Sequence, residues 1–138
     1  MKQQITWIAV LLMAFSISLA ADDEAITVAE TAAYSWLAQA DSDDFSGSWT
    51  SASSIFRAAV TQAEWERALS TARGPFGELI SRDLGSADFY TTLPGAPDGE
   101  YVVMQFNSSF AQKATAVETV TVMLDSDRSW RVSGYFIK

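Results

Sequence analysis

Cysteine and histidine are both absent from this sequence. Without cysteine there is no disulfide framework, no thiol nucleophile and no cysteine to carry a lipid after a leader. Without histidine, Ser-His-Asp and Cys-His mechanisms and histidine-based zinc sites are excluded. Any catalysis falls to carboxylates, tyrosine, lysine or arginine. Base is scarce as well: 9 Lys and Arg stand against 17 Asp and Glu, for a net charge of −8. Such a surface repels phosphate backbones, so nucleic acid is not an expected partner. Acidity otherwise bears on solubility rather than on fold. The 138 residues suffice for one domain with a modest core.

The first twenty residues read differently from the rest. Lys2 gives a positive start, Ile5 to Leu19 carries no charge, and Ser18-Leu19-Ala20 is a small-x-small sequence followed by Asp22, Asp23 and Glu24. This pattern predicts a secretory signal peptide over 1–20, cleaved after Ala20, and a single domain over 21–138. The alternative is an uncleaved N-terminal membrane anchor, for which the apolar run is short. Cleavage removes one base and no acid, taking the net charge from −8 to −9. A disulfide-free exported domain fits a periplasmic or secreted location with no membrane contact after cleavage.

In 21–138 a helical half precedes a strand half. Ile26, Ala29, Ala33, Trp36, Leu37 and Ala40 share one helical face over 24–40. A second helix is expected over 43–60, with Phe45, Trp49, Ala52, Phe56 and Val60 along its stripe and several serines weakening it. Thr61-Gln62-Ala63-Glu64 fits a capping box, with Val60 and Trp65 at the positions of a hydrophobic staple. Gly74-Pro75 ends this third helix, the glycine read as a left-handed cap. Trp36, Trp49, Trp65 and Trp130 all fall on core faces, so packing rather than sugar or peptide binding accounts for them.

After Pro75 the period becomes two. Strands are expected near 77–92, 99–111, 114–125 and 129–138, with a Pro/Gly loop at 93–99 and a hairpin turn at 125–129. Val102, Met104, Phe106 and Phe110 line one face of the second strand. Val120, Val122 and Leu124 do so on the third, and Trp130, Val132 and Phe136 on the fourth. Three helices packed on one face of a curled four-stranded antiparallel sheet make an α+β domain. The polar faces of the third and fourth strands permit a dimer surface, but nothing in the pattern fixes an oligomeric state.

Several segments together carry a family resemblance: Trp36 in the first helix, Trp65 with Arg73, GPFGELISR at 74–82, PGAPDGEYVVMQFNSSF at 94–110, AVETVTVML at 116–124 and WRVSGYFIK at 130–138. On these the chain resembles the domain-of-unknown-function 4019 family, small bacterial domains often exported. The resemblance implies a cystatin-like or nuclear-transport-factor-2-like layout, in which a bent sheet wraps a helix and leaves room for a pocket. It implies no reaction, because that layout hosts isomerases, dehydratases, ligand binders and structural modules.

The candidate site residues follow from strand parity. Arg82 shares parity with Ile80 and Leu84, and Glu118 with Val120, Val122 and Leu124. Both charges therefore point toward the apolar side of the sheet, where an unpaired charge is costly. A partly buried Arg82–Glu118 ion pair is expected, set against strand-end positions that reach water. Asp83, Tyr101 and Tyr135 join them as pocket candidates. Asp83 or Glu118 with the tyrosines would be the acid–base set of an enzyme, although the tyrosines alone read as core-edge aromatics with hydroxyls in water. No metal and no cofactor is expected. The acids at 41–44 fail as a calcium loop, with Phe45, Ser46 and Ala52 where an oxygen ligand, a glycine and a glutamate belong. TARGPFGELISR, at 71–82, closes a helix and opens a strand, the reverse of a phosphate loop. The leading expectation is an exported, non-catalytic domain that binds a small ligand or an envelope protein. The alternatives are a small isomerase- or hydrolase-like enzyme and a structural interaction module.

Overall fold

The computed structural model describes the backbone from residue 8 to 138 and the side chains from residue 21 onward. The side chains of the expected leader lie outside the described residues. Helix α1 spans Ile8–Asp41, α2 Phe45–Thr50, α3 Ser54–Ala59 and α4 Gln62–Arg73, with a 3₁₀ turn at Gly74–Phe76. Strands β1 (Leu79–Tyr90), β2 (Tyr101–Phe110), β3 (Lys113–Leu124) and β4 (Trp130–Ile137) follow. They form one open antiparallel sheet in the order β1-β2-β3-β4. Among the described residues, no helix is long and apolar enough to cross a membrane.

Helix α1 lies against all four strands and buries Ala29, Ala33, Trp36, Leu37 and Ala40 on Val102, Met104, Phe106, Val120, Val122 and Val132. Small residues on the α1 stripe let its backbone approach the sheet, and Trp36 and Leu37 fill what the alanines leave. Helix α4 adds Trp65 and Leu69 to the same core. Its start is the expected capping box: the Glu64 amide donates to the Thr61 hydroxyl and the Thr61 amide to the Glu64 carboxylate.

The helix expected over 43–60 is two helices. Serine at 51, 53 and 54 favours local caps over a helix interior. Ser53 caps α3 through its hydroxyl at the Phe56 amide, and its own amide donates to the Val132 carbonyl at 2.8 Å. Ser54 donates both its amide and its hydroxyl to Asp125, at 2.9 and 2.6 Å. The break thereby ties the helical layer to β4 and to the β3–β4 turn. Trp36 and Trp65 are anchored on α2: their indole N–H groups donate to the carbonyl and the hydroxyl of Ser48, at 2.9 and 3.0 Å.

The stop after α4 also differs from the expectation. Gly74 is right-handed (φ −51) and begins the 3₁₀ turn; the left-handed residue is Gly77, at φ 76. The chain therefore tightens through Pro75 before it turns into the sheet. Bulges then re-aim residues on both edge strands. Pairing shifts at Ile80 and at Gly85 on β1, and at Ser133 on β4. Ile80 is consequently turned outward and 68% exposed, while Arg82 and Leu84 stay inward. On β4 the extra residue reverses parity, so Tyr135 joins the core and Phe136, expected inside, is 61% exposed.

Candidate functional site

On the inner face, at the end of the sheet near the C-termini of α1 and α4, four charged side chains meet. Arg82 on β1 stands opposite Ser108 on β2, and Glu118 on β3 stands opposite Phe106. Strands β1 and β3 are about 10 Å apart, a distance that a long arginine side chain bridges. Arg82 Nε donates to Glu118 Oε1 at 2.8 Å and Nη2 to Oε2 at 3.1 Å. The other edge of the same guanidinium reaches Asp41, the last residue of α1, with Nη1 to Oδ2 at 2.8 Å and Nη2 to Oδ1 at 2.9 Å. Arg73, the last residue of α4, donates Nη2 to Asp41 Oδ1 at 2.8 Å.

Glu118 has no exposed side-chain surface, and Arg82 retains 7% of its own. Besides Arg82, Glu118 accepts from the Ser108 hydroxyl at 2.6 Å and from the Tyr135 hydroxyl. Those four donors occupy the lone-pair directions of both carboxylate oxygens. Two arginines face two carboxylates, so the cluster closes with no net charge.

The titration behaviour follows the geometry. Burial alone would raise the Asp41 carboxyl, but the hydrogen bonds and charges of Arg82 and Arg73 outweigh it and hold the group below its ordinary value. Burial likewise disfavours the Arg82 charge, and the bonds to Asp41 and Glu118 more than offset it, lifting its pKa above the ordinary value. The Tyr135 hydroxyl is pushed well up, first by burial and then by the charge of Glu118 and the bond to it. Tyr135 thus remains a proton donor to Glu118 rather than a base.

The other candidates lie elsewhere. Asp83 is exposed on the outer face of β1. Tyr101 is buried, but it stands at the start of β2, about 17 Å along the strand from the partner of Glu118. Its hydroxyl donates to the Pro97 carbonyl at 2.6 Å and pins the 91–100 loop. Neither tyrosine hydroxyl is left to water alone, which corrects that expectation, and Asp83 and Tyr101 do not line a common pocket with Glu118. Three members of the cluster escaped the sequence reading although a signal existed. Ser108 shares strand parity with Phe106 and Phe110. Asp41 and Arg73 stand four residues after Leu37 and Leu69, on the same helix faces.

Outside the cluster, and sharing Asp41 and Arg73 with it, lies an open cleft of about 720 Å³. Asp43, Ser70, Gly77 and Glu78 also line it. A second, smaller groove of about 230 Å³ runs along Trp36, Gln39, Trp130 and Arg131. Among the described residues, no three His, Cys, Asp or Glu side chains are grouped to hold a metal ion.

These features define an α+β domain whose helix-covered antiparallel sheet encloses a charge-balanced cluster beside an open cleft. A family model described as protein of unknown function (DUF4019) matches residues 32–135, a span that contains every member of the cluster. The chain belongs to that family. No curated protein and no solved structure matches it.

Proposed function

We propose that this chain is a non-catalytic binding domain of the cell envelope, exported by its N-terminal leader, that takes a small ligand in the cleft beside α1 and α4. The observation that carries the reading is the saturation of Glu118. A general base needs a free lone pair aimed at substrate, and this carboxylate has four donors and no exposed surface. Tyr135 is held protonated, and Asp83 faces away. These facts weigh against acid–base catalysis on the inner face, and the 720 Å³ cleft is the larger of the two concave surfaces described above. The layout of one long helix against an open sheet agrees with a cystatin-like or nuclear-transport-factor-2-like shape, with the concave side filled.

A soluble fragment library screened against the ¹⁵N-labelled protein tests this reading. Hits are expected to move amides at 41–45 and 70–78. Hits that move Phe106, Glu118 and Val120, or turnover of a generic ester or glycoside abolished by Glu118→Gln, contradict it. A second reading, a structural interaction module, is favoured by the outer sheet face, where Phe136 is 61% exposed.

A further inference from the structure

The outer face of the sheet carries two pairs of features that mirror each other across its midline. Cross-strand partners stand at equal heights, in rows. One row runs Asp83, Asn107, Val117 and Lys138, the last placed by its two backbone hydrogen bonds with Val117. The next runs Ser86, Gln105, Thr119 and Phe136. Asp83 and Lys138 are exposed, and neither makes a salt bridge among the described residues. Three strand spacings, about 14 Å, separate them, too far for the two to meet within one copy. Phe136 projects from the β4 edge with 61% of its surface exposed. On the β1 edge the bulged Gly85 presents no side chain beside Ser86; a Cβ there would stand on this face, 2.9 Å from the Asn107 Nδ2.

An acid thus mirrors a base in one row, and a hollow mirrors a projecting ring in the next. A two-fold axis along the strands, set between two such faces, exchanges their edges and keeps their heights. Strand β1 of one copy then covers β4 of the other. Asp83 meets the partner's Lys138, and Phe136 falls over the partner's Gly85 and Ser86, each contact occurring twice. Aligned sheets cross at about 30°, an offset that the long lysine side chain spans. An axis across the strands instead sets the two β1 edges together, where Asp83 and the exposed Asp88 repel their own copies. The columns between the edges, Val103, Gln105 and Asn107 on β2 and Val117, Thr119 and Thr121 on β3, carry no charge. Two chains of net charge −8 therefore approach with least repulsion on this face.

We propose that the outer face is the contact surface of a homodimer, packed sheet on sheet with aligned strands, in which Asp83 pairs with the partner's Lys138 and Phe136 seats over the partner's Gly85. The proposal rests on the interaction reading of this face and names its partner as a second copy of the chain. A face four strands wide and 8 residues long covers about 500 Å² per copy. Two such faces bury about 1,000 Å², the lower limit of a specific interface, so the dimer is weak and concentration-dependent.

The test is sedimentation velocity from about 10 µM to about 1 mM, with the amide shifts of the ¹⁵N-labelled protein followed over the same range. A monomer–dimer equilibrium is expected, with concentration-dependent shifts at Gln105, Asn107, Thr119 and Phe136. Asp83→Lys and Lys138→Asp change only exposed groups, and each sets like charges together at both contacts. Either is expected to weaken the dimer about tenfold with an unchanged melting temperature. An equimolar mixture of the two variants brings opposite charges together at both contacts, so a heterodimer of wild-type affinity is expected. A monomer throughout the range overturns the second copy as partner and leaves the interaction reading of the face standing. Variants that weaken the dimer without rescuing each other overturn the Asp83–Lys138 pairing and the axis that produces it. A dimer that neither substitution weakens, with its shifts on the helices, overturns the arrangement and the interaction reading of this face together.

Discussion

Replacing Arg82 with alanine removes four hydrogen bonds at once, two to Glu118 and two to Asp41. Glu118 keeps only Ser108 and Tyr135, and Asp41 keeps only Arg73. Asp41 is 21% exposed and can turn to water, but Glu118 has no exposed surface, so water cannot replace its two lost donors without opening the core. Breaking a buried pair from one side costs about 3–5 kcal/mol. Against a domain stability of about 5–15 kcal/mol, that is a large fraction. At this chain length it lowers the melting temperature by about 10–20 °C. Differential scanning calorimetry of wild type and Arg82→Ala measures it. The companion variant, Arg82→Met with Glu118→Leu, removes both charges and refills the volume. It is expected to recover more than half of the loss, since a buried pair and its apolar replacement are nearly equal in stability. A melting temperature for Arg82→Ala within about 3 °C of wild type, under 1 kcal/mol, would show that the pair is solvated and would refute the reasoning.

Further expectations concern pH and packing. Asp41 has a folded pKa below its ordinary 3.8, so the unfolded chain binds the proton more readily, and its contribution is present above about pH 4 and lost as pH falls through the folded value. Tyr135 is raised above its ordinary 10.0, so its contribution is present below pH 10 and lost as pH rises beyond. Urea midpoints across pH should therefore form a plateau with both shoulders, and Tyr135→Phe should remove the alkaline one; midpoints that keep rising below pH 4 contradict the Asp41 assignment. Ser48→Ala leaves the Trp65 indole N–H without its acceptor and should cost about 1–3 kcal/mol in the same urea assay, whereas a neutral result would mean that water reaches the indole. Gly77→Ala places a Cβ 3.3 Å from that of Ala111 on a backbone at φ 76, and a loss of about 1–2 kcal/mol is expected; no loss would mean that the bend relaxes freely.

Sequence periodicity exposed most of the architecture for a simple reason: the sheet has one covered face, so its strands alternate. The four strands, the α1 stripe and the capping box of α4 were all legible for that reason. The failures have specific causes. The 43–60 helix split because Ser53 and Ser54 bond to Val132 and Asp125, partners about 70 to 80 positions away that local propensity does not contain. Phe136 and Ile80 were placed inside because a one-residue bulge reverses parity and leaves almost no mark on the pattern. At the site, parity aimed Arg82 and Glu118 at the covered face, but it works within a strand and cannot bring Asp41 and Arg73 from the ends of two helices. In sequence, Asp41 is the first of the polar residues 41–44 that follow the α1 stripe, and Arg73 stands at a helix end, where a cation is favoured by the helix dipole alone. Both do end their helices, and the cluster forms because those two ends are packed over the same corner of the sheet.

Arg82 is locked between two carboxylates; this leaves Glu118 no freedom for chemistry and fixes Asp41, which in turn holds Arg73. The side-chain Nε–H signal of Arg82 in a ¹⁵N-labelled sample reports on this directly. A sharp Arg82 Nε–H resonance, exchanging with water far more slowly than that of the exposed Arg67 and collapsing in Glu118→Gln, is the result predicted. An Arg82 signal that exchanges as fast as that of Arg67 would contradict the buried cluster and the function built on it.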